Sequence, residues 1–503
     1  MTSPSRIAAI DLGSNSFRLE IGWVDQGRLR RSEYLKESVR LGNGLDRDRN
    51  LTEEAMLRGW ACLARFGERL AGFNRQQIRA VATQTLREAR NRDAFLGPAR
   101  KILGFPIDVI SGVEEARLIY QGVSRFLPQS DERRFVVDIG GRSTELVIGQ
   151  GFAPEALASF RVGSVSWSMK FFPGGVFTRQ GFATASIAAQ AVLDEALNTY
   201  GRAHWDVAFG SSGTVGAVAD ILAAEGFAAG VVRRDGLRWL CDRMLRAQSA
   251  DRLKLNGLKD DRKAVLGGGI SVLMAVFDLL DIEEMHVAQG ALRHGVLHEL
   301  AAGDRELGDL RTLSIQGLAQ RYGVDMEQAD RVARVAVSLL DRLQTPTRDE
   351  GAPPRERTQR KLHWAALLHE IGAQISHSDY HKHSAYILDH ADISGFAQHE
   401  LHHLSQLVLG HRGKVHKLDV DLADSRFALQ LMVLRLAVIL CHARRQPRDQ
   451  PLTLSWDGAT GVVLRHPAEW AVQYPQSAHL LEAETLAWKK TPWTLSVLPL
   501  EAH

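Results

Sequence analysis

Two short stretches of the sequence combine an aspartate, bend-forming glycines and hydroxyl residues. The first reads Asp11-Leu12-Gly13-Ser14-Asn15-Ser16, and the second reads Asp138-Ile139-Gly140-Gly141-Arg142-Ser143-Thr144. Glycine turns let backbone N–H groups converge on an anionic oxygen, and neighbouring hydroxyls add donors. An aspartate at a strand end can hold a divalent cation. Either turn alone is common hairpin chemistry, but their repetition in matched context predicts two hairpins that clamp a phosphate and its Mg²⁺.

A third glycine loop, Gly210-Ser211-Ser212-Gly213-Thr214, lies between a strand-like run and a helical one. Unpaired N–H groups and the helix dipole make such a helix start a general anion site. The signal is weak when taken alone. The sequence contains neither GxxxxGK[ST] nor a GxGxxG between a strand and a helix, which argues against a P-loop nucleotidase and a dinucleotide-binding domain.

Two further charged residues suit phosphate chemistry. Ser111 and Glu114 fit a capping box at the start of a helix, which leaves the adjacent Glu115 without a capping role. Glu115 is either a base that takes a proton from an attacking water or a solvated first-turn glutamate. Arg87 follows a strand and a polar turn; its planar donor fork suits a pair of phosphate oxygens, and the alternative is an ordinary surface charge.

Histidines are concentrated in one segment: 11 of the 19 lie between His363 and His416. The pair His369-Glu370 and the later histidines resemble the HD phosphohydrolase domain, with Glu370 where an aspartate is expected. An active metal hydrolase, a degenerate scaffold and a polyanion-binding surface all fit this layout, and we favour a scaffold that binds a polyanion. The expected anchor residues are His377, His381, Lys382, His383, His411 and Arg412.

The elements that must position these residues follow from length and patterning. At 503 residues the chain is too long for one core, and 45% hydrophobic with 24% charged residues excludes wholesale disorder. Strand-like and helical runs alternate over the first 300 residues, which indicates α/β structure. The next part is helical, and the tail returns to strands. We expect an α/β half, a helical domain and a small mixed module.

Charge and cysteine content suggest the setting in which the protein works. A net charge of +3 argues against a dedicated nucleic-acid-binding protein but permits a local basic groove. The 3 scattered cysteines favour a reducing compartment. The sequence shows neither a signal peptide nor an apolar stretch long enough to cross a bilayer. We expect a protein that is cytoplasmic, either free or peripheral to the membrane.

Taken together, the motifs resemble the exopolyphosphatase/guanosine pentaphosphate phosphohydrolase family of the sugar kinase–Hsp70–actin superfamily. The resemblance extends from Ile7 to about Leu300 and rests on the two hairpins and on four further stretches: Thr83–Arg87, Ser111–Arg117, Gly210–Thr214 and Gly290–Gly295. Two residues depart from the family pattern. Arg142 replaces a third glycine, so its Cβ and charge enter the loop, and His294 stands where the family often has glutamate.

The resemblance implies an α/β fold of two actin-like lobes, residues 1–124 and 125–305, followed by a helical HD-like domain, residues 306–420, and a C-terminal α/β module, residues 421–503. It makes Glu115 the catalytic base and places Asp11, Asp138 and Glu145 near Mg²⁺ or Mn²⁺. The substrate phosphates would be held by Ser14, Asn15, Ser16, Arg87, Gly140, Gly141, Arg142, Ser143, Thr144, Gly213 and Thr214. The resemblance also implies a homodimer.

Several functions remain open on this basis. We expect a metal-dependent exopolyphosphatase that removes terminal phosphates processively from inorganic polyphosphate, because the stretches His377–Leu388 and Phe172–Val176 look more like that branch. The first alternative is a guanosine pentaphosphate 5′-phosphohydrolase, as the main or a second activity. A non-catalytic polyphosphate or alarmone sensor and a sugar kinase of the same superfamily are the other classes. The sensor requires Glu115 to be dispensable.

Overall fold

The computed structural model describes residues 5–25, 28–128, 130–343, 355–444, 452–458, 460–467 and 469–500. The chain forms two compact units. The first contains Met1–Gly308 together with Ser394–Ala397, and the second contains Asp309–Ile393 and Gln398–His503. The division after Gly308 lies close to the expected boundary at residue 305, and the expected boundaries after residues 124 and 420 stay predictions.

The first lobe of unit 1 is a five-stranded sheet in the order β3-β2-β1-β4-β5. β1 is antiparallel to β2 and parallel to β4. Residues 7–12 of β1 are all buried, as expected for a central strand covered on both faces. The strands are β1 (Ser5–Leu12), β2 (Phe17–Asp25), β3 (Arg28–Glu37), β4 (Ile78–Ala82) and β5 (Ile107–Val109), and the helices are α1 (Glu53–Arg69), α2 (Gln84–Glu88), α3 (Arg92–Leu103) and α4 (Gly112–Ser124).

The second lobe of unit 1 is a six-stranded sheet. Its core is the largest apolar cluster of the lobe and extends from Phe135 to Met285. The strands are β6 (Arg133–Ile139), β7 (Thr144–Gln150), β8 (Ala153–Phe160), β9 (Val207–Ser211), β10 (Val231–Arg233) and β11 (Glu284–Val287). The helices are α5 (Ser164–Phe171), α6 (Arg179–Leu193), α7 (Leu197–Tyr200), α8 (Ser212–Ala224), α9 (Arg234–Ala247), α10 (Asp260–Leu279) and α11 (Leu292–Ala302).

The two sheets share one topology. The order β3-β2-β1-β4-β5 in the first corresponds to β8-β7-β6-β9-β11 in the second, with β10 added at the edge. In both, an antiparallel three-strand meander is continued by parallel strands that require helical crossovers. Each opening hairpin, β1-β2 and β6-β7, carries one of the two aspartate–glycine turns. The expected α/β fold with two related lobes is confirmed.

Two helices bring the lobes into close contact. α4 of the first lobe packs against α11 of the second, and glycines on both sides permit the approach. A Cβ on Gly122 would overlap the carbonyl oxygen of Ala291, and a Cβ on Gly295 would overlap that of Leu118. The start of α4, which carries Glu115, therefore lies close to the start of α11, which carries Arg293.

The second unit is helical, with one small sheet. Its helices are α12 (Asp304–Arg321), α13 (Met326–Leu343), α14 (Arg355–Leu368), α15 (Tyr380–Asp389), α16 (Gln398–Gly410), α17 (Ser425–Leu440), α18 (Trp470–Gln473) and α19 (Pro475–Trp488). The sheet contains β12 (Thr453–Asp457), β13 (Gly461–His466) and β14 (Thr494–Pro499) in that order. Among the described residues, no helix is both long and apolar enough to cross a membrane.

Candidate active site

A cavity of about 270 Å³ lies in unit 1 where the two hairpins and the start of α8 meet. Eleven of the residues singled out from the sequence line it: Asp11, Ser14, Asn15, Ser16, Glu115, Asp138, Gly140, Gly141, Ser143, Gly213 and Thr214. They come from two lobes and from four separate stretches of chain. The structure thus brings most of the predicted site to one place.

The two hairpin turns face each other across the cavity. In the second turn the N–H of Gly140 donates to the carbonyl of Ser143 at 2.9 Å. A Cβ added to Gly141 would lie 2.9 Å from Cβ of Ser14 in the first turn, closer than side-chain carbons normally approach. Glycine is therefore needed at 141 to let the turns meet, which is the arrangement expected of a clamp.

The glycine loop Gly210–Thr214, which includes the first turn of α8, supplies the third wall. Ser212 has a φ of +82°, a left-handed conformation that costs free energy for a residue other than glycine. Its hydroxyl donates to the carbonyl of Ile139 at 2.9 Å, and the hydroxyl of Thr214 donates to the same carbonyl at 2.8 Å. Both hydroxyls therefore tie the loop to the end of β6. Strain held in place by such bonds is typical of a ligand-binding loop.

Glu115 is a buried carboxylate with one cationic neighbour. It is 7% exposed, and Nη1 of Arg87 donates to its Oε2 at 2.8 Å. Burial raises the pKa of Glu115 to about 7; Arg87 opposes the rise, and the charges of Asp11 and Asp138 add to it. A carboxyl group that titrates near neutral pH can both accept and hold a proton in the working range.

Arg87, expected to bind phosphate, is hydrogen-bonded to protein groups in this structure. Of the residues that the structure describes, those lining the cavity do not include Arg87. Its guanidinium bonds to the carbonyl of Ile110 at 2.9 Å and to Oε1 of Gln84 at 2.6 Å, besides Glu115. These bonds hold the guanidinium beside Glu115, and phosphate binding by Arg87 stays a prediction.

Arg142 and Thr144 also bind other groups than phosphate. Nε of Arg142 donates to Oε2 of Glu88 at 3.0 Å and Nη1 to the carbonyl of Gly42 at 3.1 Å, so the side chain crosses to the first lobe. Thr144 is fully buried and donates to the carbonyl of Val162 at 2.6 Å. Neither lines the cavity within the described part of the chain. Both residues hold the second hairpin in place.

Glu145 was expected near the metal, but it lies behind the cavity lining. It stands opposite Asp138 in the β6-β7 register, and the hydroxyl of Ser159 donates to its Oε1 at 2.8 Å. Burial raises its pKa well above the ordinary value, and the charges of Glu115 and Asp138 raise it further. Glu145 is not among the described residues that line the cavity, and its role as a metal ligand stays a prediction.

Four cationic side chains that line the cavity were not singled out from the sequence: Arg18, Lys36, Arg262 and Arg293. Nη1 of Arg18 donates to Oδ2 of Asp11 at 2.9 Å. Burial lowers the pKa of both Lys36 and Arg262, and their mutual repulsion lowers that of Lys36 further. Two of these four residues could have been identified from the sequence. Arg18 lies on the return strand of the first hairpin, and Arg293 lies within the quoted Gly290–Gly295 motif.

The cavity chemistry fits a divalent cation. Burial raises the pKa of Asp138 to about 6, and the nearby Asp11 raises it further. The described residues contain no cluster of three or more histidine, cysteine or acidic side chains that could hold a metal. Mg²⁺ does not need one, because it is often held by one or two carboxylates with substrate oxygens and water. Asp11 and Asp138, which share the cavity, satisfy that requirement.

The capping box predicted at the start of α4 is only half formed. Oγ of Ser111 accepts from the N–H of Glu114 at 3.1 Å, as expected. The Glu114 carboxylate does not turn back to the cap. It is fully buried and bonds to Nε of Arg117 at 2.8 Å, so its role is in a buried ion-pair network.

His294, the second departure from the family pattern, is completely buried. Its Nδ1 accepts from the N–H of Ala291 at 2.9 Å, which caps α11, and its Nε2 lies 3.2 Å from Oε2 of Glu20. The network that contains His294 and Arg293 lowers the pKa of Glu20 to about 2, although burial alone would raise it. His294 therefore orders the start of α11, where Arg293 enters the cavity.

The histidine-rich segment lies in the second unit, and its core is a packed pair. The rings of His369 and His411 meet edge to face at 5.2 Å, and each Nδ1 bonds to a backbone carbonyl. Burial lowers the pKa of His411 well below its ordinary value, so His411 is a neutral core residue. Glu370, at the position of the expected metal ligand, pairs with Arg444 at 3.2 Å.

The other expected anchor residues lie on and near α15. Lys382 is exposed and pairs with Asp379 at 2.9 Å, the guanidinium of Arg412 lies 5.4 Å from the ring centre of Tyr380, and burial lowers the pKa of His381. His377 and His383 lie in the same segment. Lys382 and Arg412 are the lysine and the arginine of the expected anchor.

Family models match most of the chain. Residues 24–303 match the Ppx/GppA phosphatase family and residues 310–487 match Ppx/GppA phosphatase, domain III. The chain belongs to the Ppx/GppA phosphatase family. Membership makes it a phosphoric anhydride hydrolase, as predicted.

Relatives are similar over nearly the whole length. The guanosine-5′-triphosphate,3′-diphosphate pyrophosphatase of Photobacterium profundum is 37% identical over 490 residues, which cover 97% of each chain. The protein of the same name from Vibrio cholerae is 38% identical over 492 residues, again 97% of each chain. Both relatives are named for the substrate of the first alternative and not for polyphosphate, the substrate that we expected first.

Solved structures match about three fifths of the chain. An exopolyphosphatase from Cytophaga hutchinsonii is 25% identical with a TM-score of 0.54, covering 60% of this chain and 99% of that one. An Aquifex aeolicus Ppx/GppA enzyme, 24% identical with a TM-score of 0.50 and covering 59% of this chain and 99% of that one, shows the same fold.

Proposed function

We propose that the protein hydrolyses the terminal 5′ phosphoanhydride of guanosine pentaphosphate and releases orthophosphate. The observation that carries the proposal is similarity over 97% of the chain to relatives named for that substrate. The site chemistry supports it. The cavity is lined by the carboxylates of Asp11, Glu115 and Asp138 and by four cationic side chains. A phosphate chain that carries a divalent cation can pair with both kinds of group.

Each group in the cavity has its own role in the hydrolysis. Glu115 accepts a proton from a water molecule whose oxygen attacks the terminal phosphorus. The bond from that phosphorus to the bridging oxygen breaks, and the shortened diphosphate end leaves with the electron pair. The cations Arg18, Lys36, Arg262 and Arg293 stabilise the negative charge of the phosphates. The hairpin turns hold the terminal phosphate in line with the water.

The metal belongs to the proposal as well. Mg²⁺ or Mn²⁺ would be held by Asp11 and Asp138 and would neutralise phosphate charge. We expect chelator to abolish phosphate release and Asp138→Asn to lose activity that added metal does not restore. Full activity in excess chelator would contradict the metal assignment while leaving the substrate assignment intact.

A second candidate substrate is inorganic polyphosphate. It is supported by the structural match to an exopolyphosphatase and by the stretches His377–Leu388 and Phe172–Val176, which look more like the polyphosphatase branch. Both substrates end in a phosphoanhydride that the same groups can hydrolyse. The homodimer, and the location in the cytoplasm or at the membrane surface, stay predictions.

Steady-state kinetics with both substrates on one protein preparation tests which substrate is preferred. We expect kcat/KM for guanosine pentaphosphate to exceed that for long-chain polyphosphate by about tenfold or more, since 1.4 kcal/mol of extra contact energy suffices. Glu115→Gln should abolish release from both. A higher kcat/KM for polyphosphate would overturn the proposal. Hydrolysis of neither substrate would favour the non-catalytic sensor.

A further inference from the structure

Four residues from the C-terminal half of the sequence form part of the catalytic unit. Ser394–Ala397 belong to unit 1, although the chain on both sides belongs to unit 2. Phe396 and Ala397 are buried, with 1% and 2% of their surface exposed. We call Ser394–Ala397 the inserted segment.

The backbone of the inserted segment contacts the first lobe at Gly395 and at Ala397. The N–H of Gly395 donates to Oε2 of Glu114 at 2.7 Å, across 281 positions of sequence. Ala397 forms an antiparallel bridge with Ile110, the residue that follows β5. The segment thus contacts both sides of the turn that joins β5 to α4.

Both contacted residues bear on the catalytic base. Glu114 directly precedes Glu115 in the first turn of α4. The carbonyl of Ile110 accepts from Nη1 of Arg87 at 2.9 Å, and the same Nη1 donates to Glu115 at 2.8 Å. One nitrogen of Arg87 therefore links the Ile110 carbonyl to the Glu115 carboxylate.

Glu114 has a buried charge that requires compensation. It has no exposed surface and pairs with Arg117 at 2.8 Å and with Arg79 at 3.5 Å. Glu299 from α11 completes the group by pairing with both arginines. The Gly395 N–H adds a neutral donor to this carboxylate, so that loss of the donor would leave a buried acceptor unsatisfied.

We propose that the inserted segment positions the catalytic base. By fixing the Ile110 carbonyl and the first turn of α4, it holds Arg87 against Glu115 and sets the orientation of that carboxylate toward the cavity. The second half of the sequence therefore contributes to catalysis in a direct structural way, whatever the substrate. The proposal rests on Glu115 being the base.

The test uses Gly395→Ala in the full chain. Gly395 has a φ of +86°, which an L-alanine adopts only with strain, so the substitution moves the segment. Gly104→Ala is the matched control, since Gly104 has a φ of +81° in unit 1 and no atom within 4 Å of an added Cβ. We expect Gly395→Ala to lower kcat by about tenfold with less than a twofold change in KM, and Gly104→Ala to change neither.

The pH profile distinguishes positioning from a general loss of stability. If Arg87 is released from Glu115, the pKa of Glu115 rises. The acid limb, meaning the fall of kcat/KM toward low pH, then shifts to higher pH by about half a pH unit or more. A milder variant, Ala397→Gly, should shift the limb in the same direction by a smaller amount. It also provides the measurement if Gly395→Ala does not fold.

The outcomes separate this proposal from the assignment of the base. An inactive Glu115→Gln together with a normal kcat and acid limb in the segment variants would overturn the role of the segment alone. An active Glu115→Gln would overturn the base assignment, and the positioning role with it. A shift of the acid limb in the Gly104→Ala control would also contradict the positioning role of the inserted segment.

Discussion

At the scale of single residues, the site contains acidic and basic groups whose pKa values are shifted by burial. Glu115 and Asp138 carry pKa values raised by burial to about 7 and about 6, while burial lowers the pKa of Lys36 and Arg262. Each shift disfavours the charged form in the free protein. A bound cation favours the charged form of Asp138, and a phosphate chain favours the charged forms of Lys36 and Arg262, so these groups are suited to the proposed ligand.

The first prediction concerns the proton. Because the pKa of Glu115 is raised to about 7, its basic form is scarce below that pH, and kcat/KM should rise with pH through about 7 and then level off. Glu115→Gln should reduce kcat by about 10²-fold or more while substrate still binds. Phosphate release measured from pH 5 to 9 checks both statements.

The control is a first-turn glutamate in solvent. Glu54→Gln, at the start of α1 with 87% of its side chain exposed, should leave the profile unchanged. Near-normal turnover of Glu115→Gln, or a flat profile across pH 7 in the unchanged protein, would exclude Glu115 as the base.

Residue types and their spacing indicated which groups lie together in the site. They indicated the hydrogen-bond partners of each side chain less well. The two aspartate–glycine turns could be identified from the sequence because their chemistry is local. The contacts of Arg87 and Arg142 could not, since a long arginine binds whatever carbonyl or carboxylate the fold places within its reach. For Arg142 those partners are Glu88 and Gly42 in the other lobe, which no local pattern indicates.

At the scale of elements, the start of α8 is held against α10. A Cβ on Gly213 would overlap the guanidinium of Arg262. That guanidinium is the end of a flexible side chain, so the clash is relieved by moving it. The glycine thus leaves room for a cation of the cavity rather than for a bend of the backbone.

The second prediction follows from that contact. Gly213→Ala should displace Arg262 and raise KM by about three- to tenfold, the effect of weakening one charge-assisted contact, with kcat nearly unchanged. Folding stability should not fall, because alanine is favoured over glycine in a helix by about 0.5–1 kcal/mol. Steady-state kinetics and thermal unfolding on the same preparation provide the measurement.

The same helix offers the control. Gly216 also lies in α8, and nothing lies within 4 Å of a Cβ added there. Gly216→Ala should gain the same helix stabilisation without a change in KM. Equal KM values for Gly213→Ala and the unchanged protein would show that Arg262 does not contact substrate.

Elements were predicted well where a pattern is long or repeated. The return to strands that the sequence predicted in the tail is found as β12, β13 and β14. The inserted segment could not be foreseen, because four residues within a helical stretch carry no sign of the unit to which they belong.

At the scale of the whole molecule, the question is what the second unit adds to the chemistry. The charge expected of a polyanion anchor is smaller than the histidine count suggested, since His411 is buried and neutral, and burial lowers the pKa of His381. Lys382 and Arg412 remain. A chain truncated near Leu300 would remove them but would also remove the inserted segment, so truncation confounds anchoring with positioning.

The last prediction therefore keeps the chain intact. Each cationic contact with a polyanion releases counterions, so Lys382→Gln/Arg412→Gln should lower the salt dependence of long-chain polyphosphate binding by about 1 to 2 in log–log slope. With the second anchor weakened, product chains dissociate between cleavages. A gel time course with long substrate in excess should change from full-length chains plus phosphate to a descending ladder.

Two comparisons make this result specific. Guanosine pentaphosphate is too short to need a second anchor, so its kcat and KM should be the same in the double variant and the unchanged protein. Lys489→Gln/Lys490→Gln removes the same charge from exposed positions elsewhere in unit 2 and should leave the polyphosphate pattern unchanged. If the Lys382/Arg412 variant keeps both its salt slope and its processive pattern, the segment around α15 is not a polyphosphate anchor, and the histidine-rich helices serve as a scaffold.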